Sequence, residues 1–284
     1  MMPSVLCAVR TIAKARNNNL RSYFANYPIR INQVGQQLEY YVKDAVCGSF
    51  VTGAGSPAGS GCPFSYLGNQ NNPPDFIIRG GDAFEIKKIE KLHATLALNN
   101  SPPKDRLHRD DPRITEHCRM AEGGNWGSKD LFYAVGWAEG GELKHLFFVH
   151  GRCYAAERGT YDRIALKLKR RMGDAIAEEG LEAVKTSEIG RVARVDPLGI
   201  TQFRVRGMWE IKSPLKVFSY IYRPELGKSL SLAALMLRDK YMSFPEEDRA
   251  ELEGAPGVES RAVEVKDPNN PAEALEAQLI TASW

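Results

Sequence analysis

The sequence has no two cysteines at the spacing of a zinc ribbon. Its five cysteines, Cys7, Cys47, Cys62, Cys118 and Cys153, are odd in number and far apart. That indicates no disulfide framework and fits reduced thiols in a cytoplasm. His117-Cys118 is a single adjacent pair, too little for a metal site. No hydrophobic run approaches the roughly 20 residues of a membrane span, so no membrane partner is expected. The start, MMPSVLCAVR, is too short and too weakly apolar for a secretory signal. Charge of one sign is scarce as well. Lys and Arg number 38 against 35 Asp and Glu, a net +3. This permits nucleic-acid binding without the strong polycation of a non-specific binder. There is no internal repeat. What is present is ordinary for a globular chain: 284 residues, 43% hydrophobic and 26% charged. That is enough for one large domain or two small ones with a sizeable core.

The most informative stretch is Tyr66–Glu90, YLGNQNNPPDFIIRGGDAFEIKKIE. Two apolar runs, Phe76–Ile78 and Ala83–Ile86, flank Gly80-Gly81-Asp82, a hairpin signal. Glu85 and Lys87 lie two apart and so share one face of a strand, with Ile86 pointing the other way into the core. The register decides whether Asp75 joins them. A two-residue Gly-Gly loop would pair Asp75 with Ile86 and turn it away. A three-residue loop, Gly80-Gly81-Asp82, would place Asp75 opposite Lys87 and diagonal to Glu85. The glycines suit the positive φ of the longer loop, which is the expected one. Two carboxylates and an ammonium on one sheet edge can hold a divalent metal and position a water. The residue types alone equally allow a surface hairpin with solvated charges.

Before the hairpin, Ser4–Asn26 reads as a helix broken at Asn17-Asn18-Asn19. A second helix has Asn32 as N-cap and an apolar stripe of Val34, Leu38, Tyr41, Val42 and Ala45. Gly35, Glu39 and Lys43 share a flank of it. Thr52–Gly61, TGAGSPAGSG, can bury nothing and reads as a loop. After the hairpin, Leu96–Arg109 reads as a polar loop whose Asn99, Asn100, Ser101 and Lys104 could clamp phosphates. Ile114–Ala121 is a candidate short helix. Leu131–Trp137 and Leu143–Val149 are apolar on both faces, as central strands are. Tyr161–Ala177 is a helix with Ile164, Leu168, Met172 and Ile176 as its buried stripe; Arg163, Lys167, Lys169, Arg170 and Arg171 lie on the other side. In Arg191–Lys212 the cations Arg191, Arg194, Arg204 and Arg206 gather. Arg204 and Arg206 alternate on a strand, and an arginine fork fits guanine O6 and N7. Phosphate contact or plain surface charge is the alternative. Leu215–Tyr222 and acidic Glu246–Glu253 are further helices, with Val263–Val265 and Leu279–Thr281 as edge strands.

Pro74-Asp75, nine residues, then Glu85-Ile86-Lys87 resembles the PD-(D/E)xK signature of metal-dependent nucleases. The strings LGNQNNPPDFIIRGGDAFEIKKI, LALNNSPPKDRL, DLFYAVGW, HLFFVHG, RVARVDPLGITQFRVRGMW, KYMSFPEE and DPNNPAEAL more closely resemble the NgoPII family of type II restriction endonucleases. The likeness runs from about Leu20 to the C-terminus.

The resemblance implies an α/β fold with a PD-(D/E)xK core: a mixed, mainly antiparallel sheet over residues 64–150, flanked by the helices 32–46 and 161–177. It implies one nuclease domain over 1–284, with the catalytic core at about 30–180 and target-reading elements at about 185–284. Asp75, Glu85 and the Ile86 carbonyl would bind Mg²⁺. Lys87 would position or deprotonate the attacking water, and Glu39 would be a further catalytic carboxylate. The substrate would be double-stranded DNA cut at a short palindrome, GGCC, by a homodimer, with a cognate DNA methyltransferase as functional partner. A structure-selective repair nuclease and a non-catalytic DNA-binding protein on the same fold are the rivals.

Overall fold

The computed structural model describes residues 1–21, 34–48, 50, 63–69, 72–186, 188–225 and 227–284. The N-cap expected at Asn32 and the loop expected over Thr52–Gly61 lie outside these. Helix α1 (Val5–Ala15) starts at Ser4, whose side chain accepts the Cys7 amide, and stops at Arg16 in the left-handed conformation, φ 47°. Helix α2 (Val34–Val46) follows. Then come strands β1 (Phe64–Asn69), β2 (Asn72–Ile78), β3 (Ala83–Ile89), β4 (Leu96–Asn99) and β5 (Arg106–His108). After short helix α3 (Glu116–Arg119) the long strands β6 (Ser128–Glu139) and β7 (Glu142–His150) turn about Gly140-Gly141. Helices α4 (Gly151–Tyr154) and α5 (Arg158–Glu178) lead to β8 (Gly190–Val192), β9 (Phe203–Val205) and β10 (Trp209–Ile211). Helix α6 (Pro214–Val217), strand β11 (Ser231–Leu237), helices α7 (Arg238–Ser243) and α8 (Glu246–Glu253), and strands β12 (Val258–Lys266) and β13 (Ala274–Ser283) complete the chain.

One sheet runs β1-β2-β3-β6-β7-β11-β13-β12, with β5 paired to β6. Only β3–β6 and β7–β11 are parallel; the other neighbours are antiparallel. Its two faces bury separate cores. One holds α1 and α2 against Phe76, Phe84, Ile86, Phe132 and Phe148. The other holds Ile77, Ala83, Tyr133, Val135 and Phe147 under Cys118, Cys153 and Phe218. The apolar character of β6 and β7 on both faces therefore reflects a central position, as their composition predicts.

Several expectations are revised. The main sheet is not confined to residues 64–150, because β11, β13 and β12 of the C-terminal segment complete it. Of the two segments expected as edge strands, only β12 is at the edge; β13 lies between β11 and β12. Leu96–Arg109 is not one loop but carries β4 and β5. The break expected at Asn17-Asn18-Asn19 is present: α1 ends at Ala15, and Asn18 donates to the Leu143 and Ser229 carbonyls at 3.0 and 2.8 Å; the part of that expected helix beyond Arg21 lies outside the described residues. Helix α5 does not flank the sheet. Of its expected stripe only Ile176 is buried, while Ile164 and Leu168 are 46% and 51% exposed. The helix packs through its C-terminal half, where Met172 and Ile176 close on Gly190 of β8. With the hairpin β8–β9 it forms an arm beside the sheet.

Candidate active site

The hairpin β2–β3 closes in a register other than the expected one. Phe76 pairs with Phe84 and Ile77 with Ala83. The Ile78 amide donates to the Asp82 carbonyl and the Gly81 amide to the Ile78 carbonyl, each at 2.9 Å. The loop is thus Arg79-Gly80-Gly81, with Gly80 at φ 68°. One residue further along this register, Asp75 faces Glu85 rather than Lys87. The shift has a tertiary cause. The Asp82 carboxylate is buried and bound by Lys240 Nζ at 2.6 Å, which draws Asp82 out of the loop to the strand end. Glu122 braces the turn, accepting from the Gly80 amide at 2.8 Å, Ser65 at 3.0 Å and Lys129 at 3.0 Å. Gly68 on β1 is also required, since a Cβ there would stand 2.2 Å from the Pro74 carbonyl.

Asp75, Glu85 and Lys87 come together. Asp75 Oδ2 accepts the Ile86 amide at 2.5 Å, and Lys87 Nζ lies 2.6 Å from Glu85 Oε1. Ile86 points into the opposite core, as its alternation predicts. Burial pushes the Asp75 carboxyl well above its usual range; the Glu85 charge adds to this, and the Ile86 amide and Lys87 oppose it. For Lys87, burial disfavours the ammonium, but Glu85 and Asp75 outweigh it and the net shift is upward. Lys87 is therefore held charged. The other Glu85 oxygen, Oε2, is buried and has no hydrogen-bond partner.

Two carboxylates forced together, one with an unpartnered buried oxygen, suit a hard cation with oxygen ligands. Asp75, Glu85 and the Ile86 carbonyl are a fitting donor set for Mg²⁺. Glu39 stands back from them. Its Oε1 binds Lys43 Nζ at 2.5 Å, and it reaches Asp75 as a third negative charge that raises the Asp75 pKa. Among the described residues no three acidic, His or Cys side chains form a metal cluster.

The other expected site residues divide. Asn99 and Asn100 are exposed beside the site, with Asn99 paired to Trp209 across β4–β10. Ser101 lines a cavity of about 20 Å³ against Glu85, and its buried Oγ has no partner. Lys104 is not a phosphate clamp. Its side chain is 7% exposed and its Nζ binds Asp111 at 2.6 Å, with Asp111 itself 5% exposed. Arg191, Arg194, Arg204 and Arg206 lie on the arm. Arg191 donates to Gln202 at 2.7 Å, and Arg194 folds over Gly199. Arg204 and Arg206 share a face as predicted, and both bind Glu188, at 2.5 and 2.8 Å. Glu122, Lys240 and Glu188 escape sequence reasoning, since nothing in their local spacing marks the partners they meet.

The NgoPII restriction endonuclease profile matches residues 3–269. The chain belongs to that family. Type II restriction enzyme NgoPII of Neisseria gonorrhoeae is 42% identical over 254 residues, covering 89% of this chain and 90% of that protein. No solved structure matches the chain. Family membership makes the protein a type II restriction endonuclease, a site-specific deoxyribonuclease. Asp75, Glu85 and Lys87 all fall within the matched span. Among the described residues no helix is long and apolar enough to cross a membrane.

Proposed function

We propose that the protein is a Mg²⁺-dependent homodimer that hydrolyses double-stranded DNA at the palindrome GGCC through a PD-(D/E)xK site. The observation that carries this reading is the buried, unpartnered Glu85 Oε2 beside Asp75, with Lys87 charged on the same face. Asp75, Glu85 and the Ile86 carbonyl would hold the ion, which would act there as a Lewis acid that lowers the pKa of water and offsets phosphate charge. Lys87, held as an ammonium, orients the attacking water through an N–H and offsets charge building on the scissile phosphate. Glu39 adds negative potential next to Asp75 and would orient a further water once released from Lys43. The enzyme acts in a prokaryotic cytoplasm, where a methyltransferase of matching specificity protects host DNA.

Incubation of purified protein with Mg²⁺ and a sequenced plasmid is expected to yield a fixed ladder with every end at GGCC. Cutting of flaps or junctions without sequence preference would instead indicate a structure-selective nuclease. Retention in a gel without cutting would indicate a binder. A palindrome calls for a two-fold protein. Sedimentation with a GGCC duplex at micromolar concentration should therefore give two chains per duplex; one chain per duplex would favour sequential nicking.

A further inference from the structure

The two arginines of the arm are held unequally. Arg204 meets Glu188 side-on, with Nε to Oε2 at 2.9 Å and Nη2 to Oε1 at 2.5 Å. Arg206 gives Glu188 only its Nε, at 2.8 Å from Oε1. Among the described residues nothing else binds the Arg206 guanidinium, so its terminal Nη pair is free, and the side chain is 59% exposed. Glu188 itself is 6% exposed, covered by the two guanidiniums. One carboxylate thus leaves a net single positive charge and fixes one fork at its root.

A fixed fork loses less rotamer freedom on binding than a solvated arginine. The end-on Nη pair has the spacing that matches guanine O6 and N7. The arm is also tied to the catalytic face. Trp209, three residues past Arg206, pairs with Asn99 of β4, and its ring packs on Tyr161 of α5 at 5.6 Å. Leu98 of β4 lines the cavity beside Glu85.

We propose that Glu188 is a positioning residue for target recognition: it takes Arg204 as a bracket and presents Arg206 as the guanine-reading fork. This rests on the reading of the chain as a sequence-specific nuclease. That reading is tested separately by the plasmid digest, which also defines the site-bearing duplex used here.

Binding to a duplex with the site and to one with it scrambled should be measured in Ca²⁺ at two salt concentrations. The proteins are wild type, Arg204→Ala, Arg206→Ala, Glu188→Ala and Glu188→Gln. Arg206→Ala is expected to weaken the site-bearing duplex by about 10-fold or more and the scrambled one little. Arg204→Ala should cost less discrimination than Arg206→Ala. Glu188→Ala should lose discrimination nearly as fully as Arg206→Ala, while its affinity for scrambled DNA holds or rises because a negative charge is gone. Glu188→Gln keeps the shape and one acceptor, so it should recover part of the discrimination at an unchanged melting temperature. Two results would overturn the proposal. In one, Glu188→Ala raises both affinities by the same factor, so that Glu188 only neutralises charge. In the other, Arg206→Ala leaves discrimination intact although the digest gave a ladder.

Discussion

Asp75→Ala and Glu85→Ala are each expected to lower the cleavage rate at least about 10³-fold while leaving DNA binding measurable. Each removes an oxygen donor from the proposed site, which among the described residues comprises two carboxylates and one carbonyl. Lys87→Ala should lose activity comparably but keep most of its metal binding, because its Nζ contacts Glu85 rather than serving as a ligand. A wild-type cutting rate in any of the three would refute the site. Asp75→Asn separates charge from shape. Burial and Glu85 raise the folded pKa of Asp75. The stability associated with the protonated group is present at low pH and is lost as pH rises through that raised pKa. Without metal, a neutral pH therefore leaves Asp75 contributing less stability than it does at low pH, and Asn removes that cost. Asp75→Asn should melt higher than wild type in EDTA, and the rise that Mg²⁺ or Ca²⁺ gives wild type should vanish. If Asp75→Asn melts lower in EDTA and still gains from Ca²⁺, the carboxylate pair is not the cation site.

Asp111→Ala is expected to be among the most destabilising single changes in the chain. Lys104 and Asp111 are both buried and ion-paired at 2.6 Å. Burial lowers the Lys104 pKa despite Asp111, whereas for Asp111 burial is outweighed by Lys104 together with the amide and charge of Arg113, and its carboxyl falls below the usual range. Removing Asp111 strands a buried ammonium, at a cost of about 3–5 kcal/mol. At roughly 2–4 °C per kcal/mol this is a fall of about 10 °C in melting temperature. Replacing both partners by apolar residues, Lys104→Met with Asp111→Leu, should recover most of the loss, because no charge is then left buried. Calorimetry on the single and double variants checks this. A loss of less than about 1 kcal/mol for Asp111→Ala would place the pair in water. The segment Pro102–Lys104 abuts Glu85 across the small cavity. Cleavage by Asp111→Ala should therefore fail at a lower temperature than wild type, with its rate at low temperature largely kept.

Side-chain direction along the catalytic hairpin is legible in local spacing. Spacing placed Glu85 and Lys87 on one strand face with Ile86 on the other, and the structure keeps that alternation because side chains alternate along any strand. The double-faced apolar runs made β6 and β7 central. The acidic run Glu246–Glu253 became α8 over that same span. Family membership was legible for the same reason, since it is carried by contiguous strings. The partners of these side chains come from long-range packing instead. The hairpin register depends on Lys240, 158 positions from Asp82 in sequence. Lys104 is buried rather than exposed because Asp111 meets it inside. The stripe on α5 is helical as its periodicity says, yet Ile164 and Leu168 stay exposed because no described element packs over them. Strand β11 joins β7, and Glu188 gathers two arginines 16 and 18 positions away. Local periodicity encodes which way a side chain points; what it meets there is set by contacts between segments distant in sequence, whose energies no single segment contains.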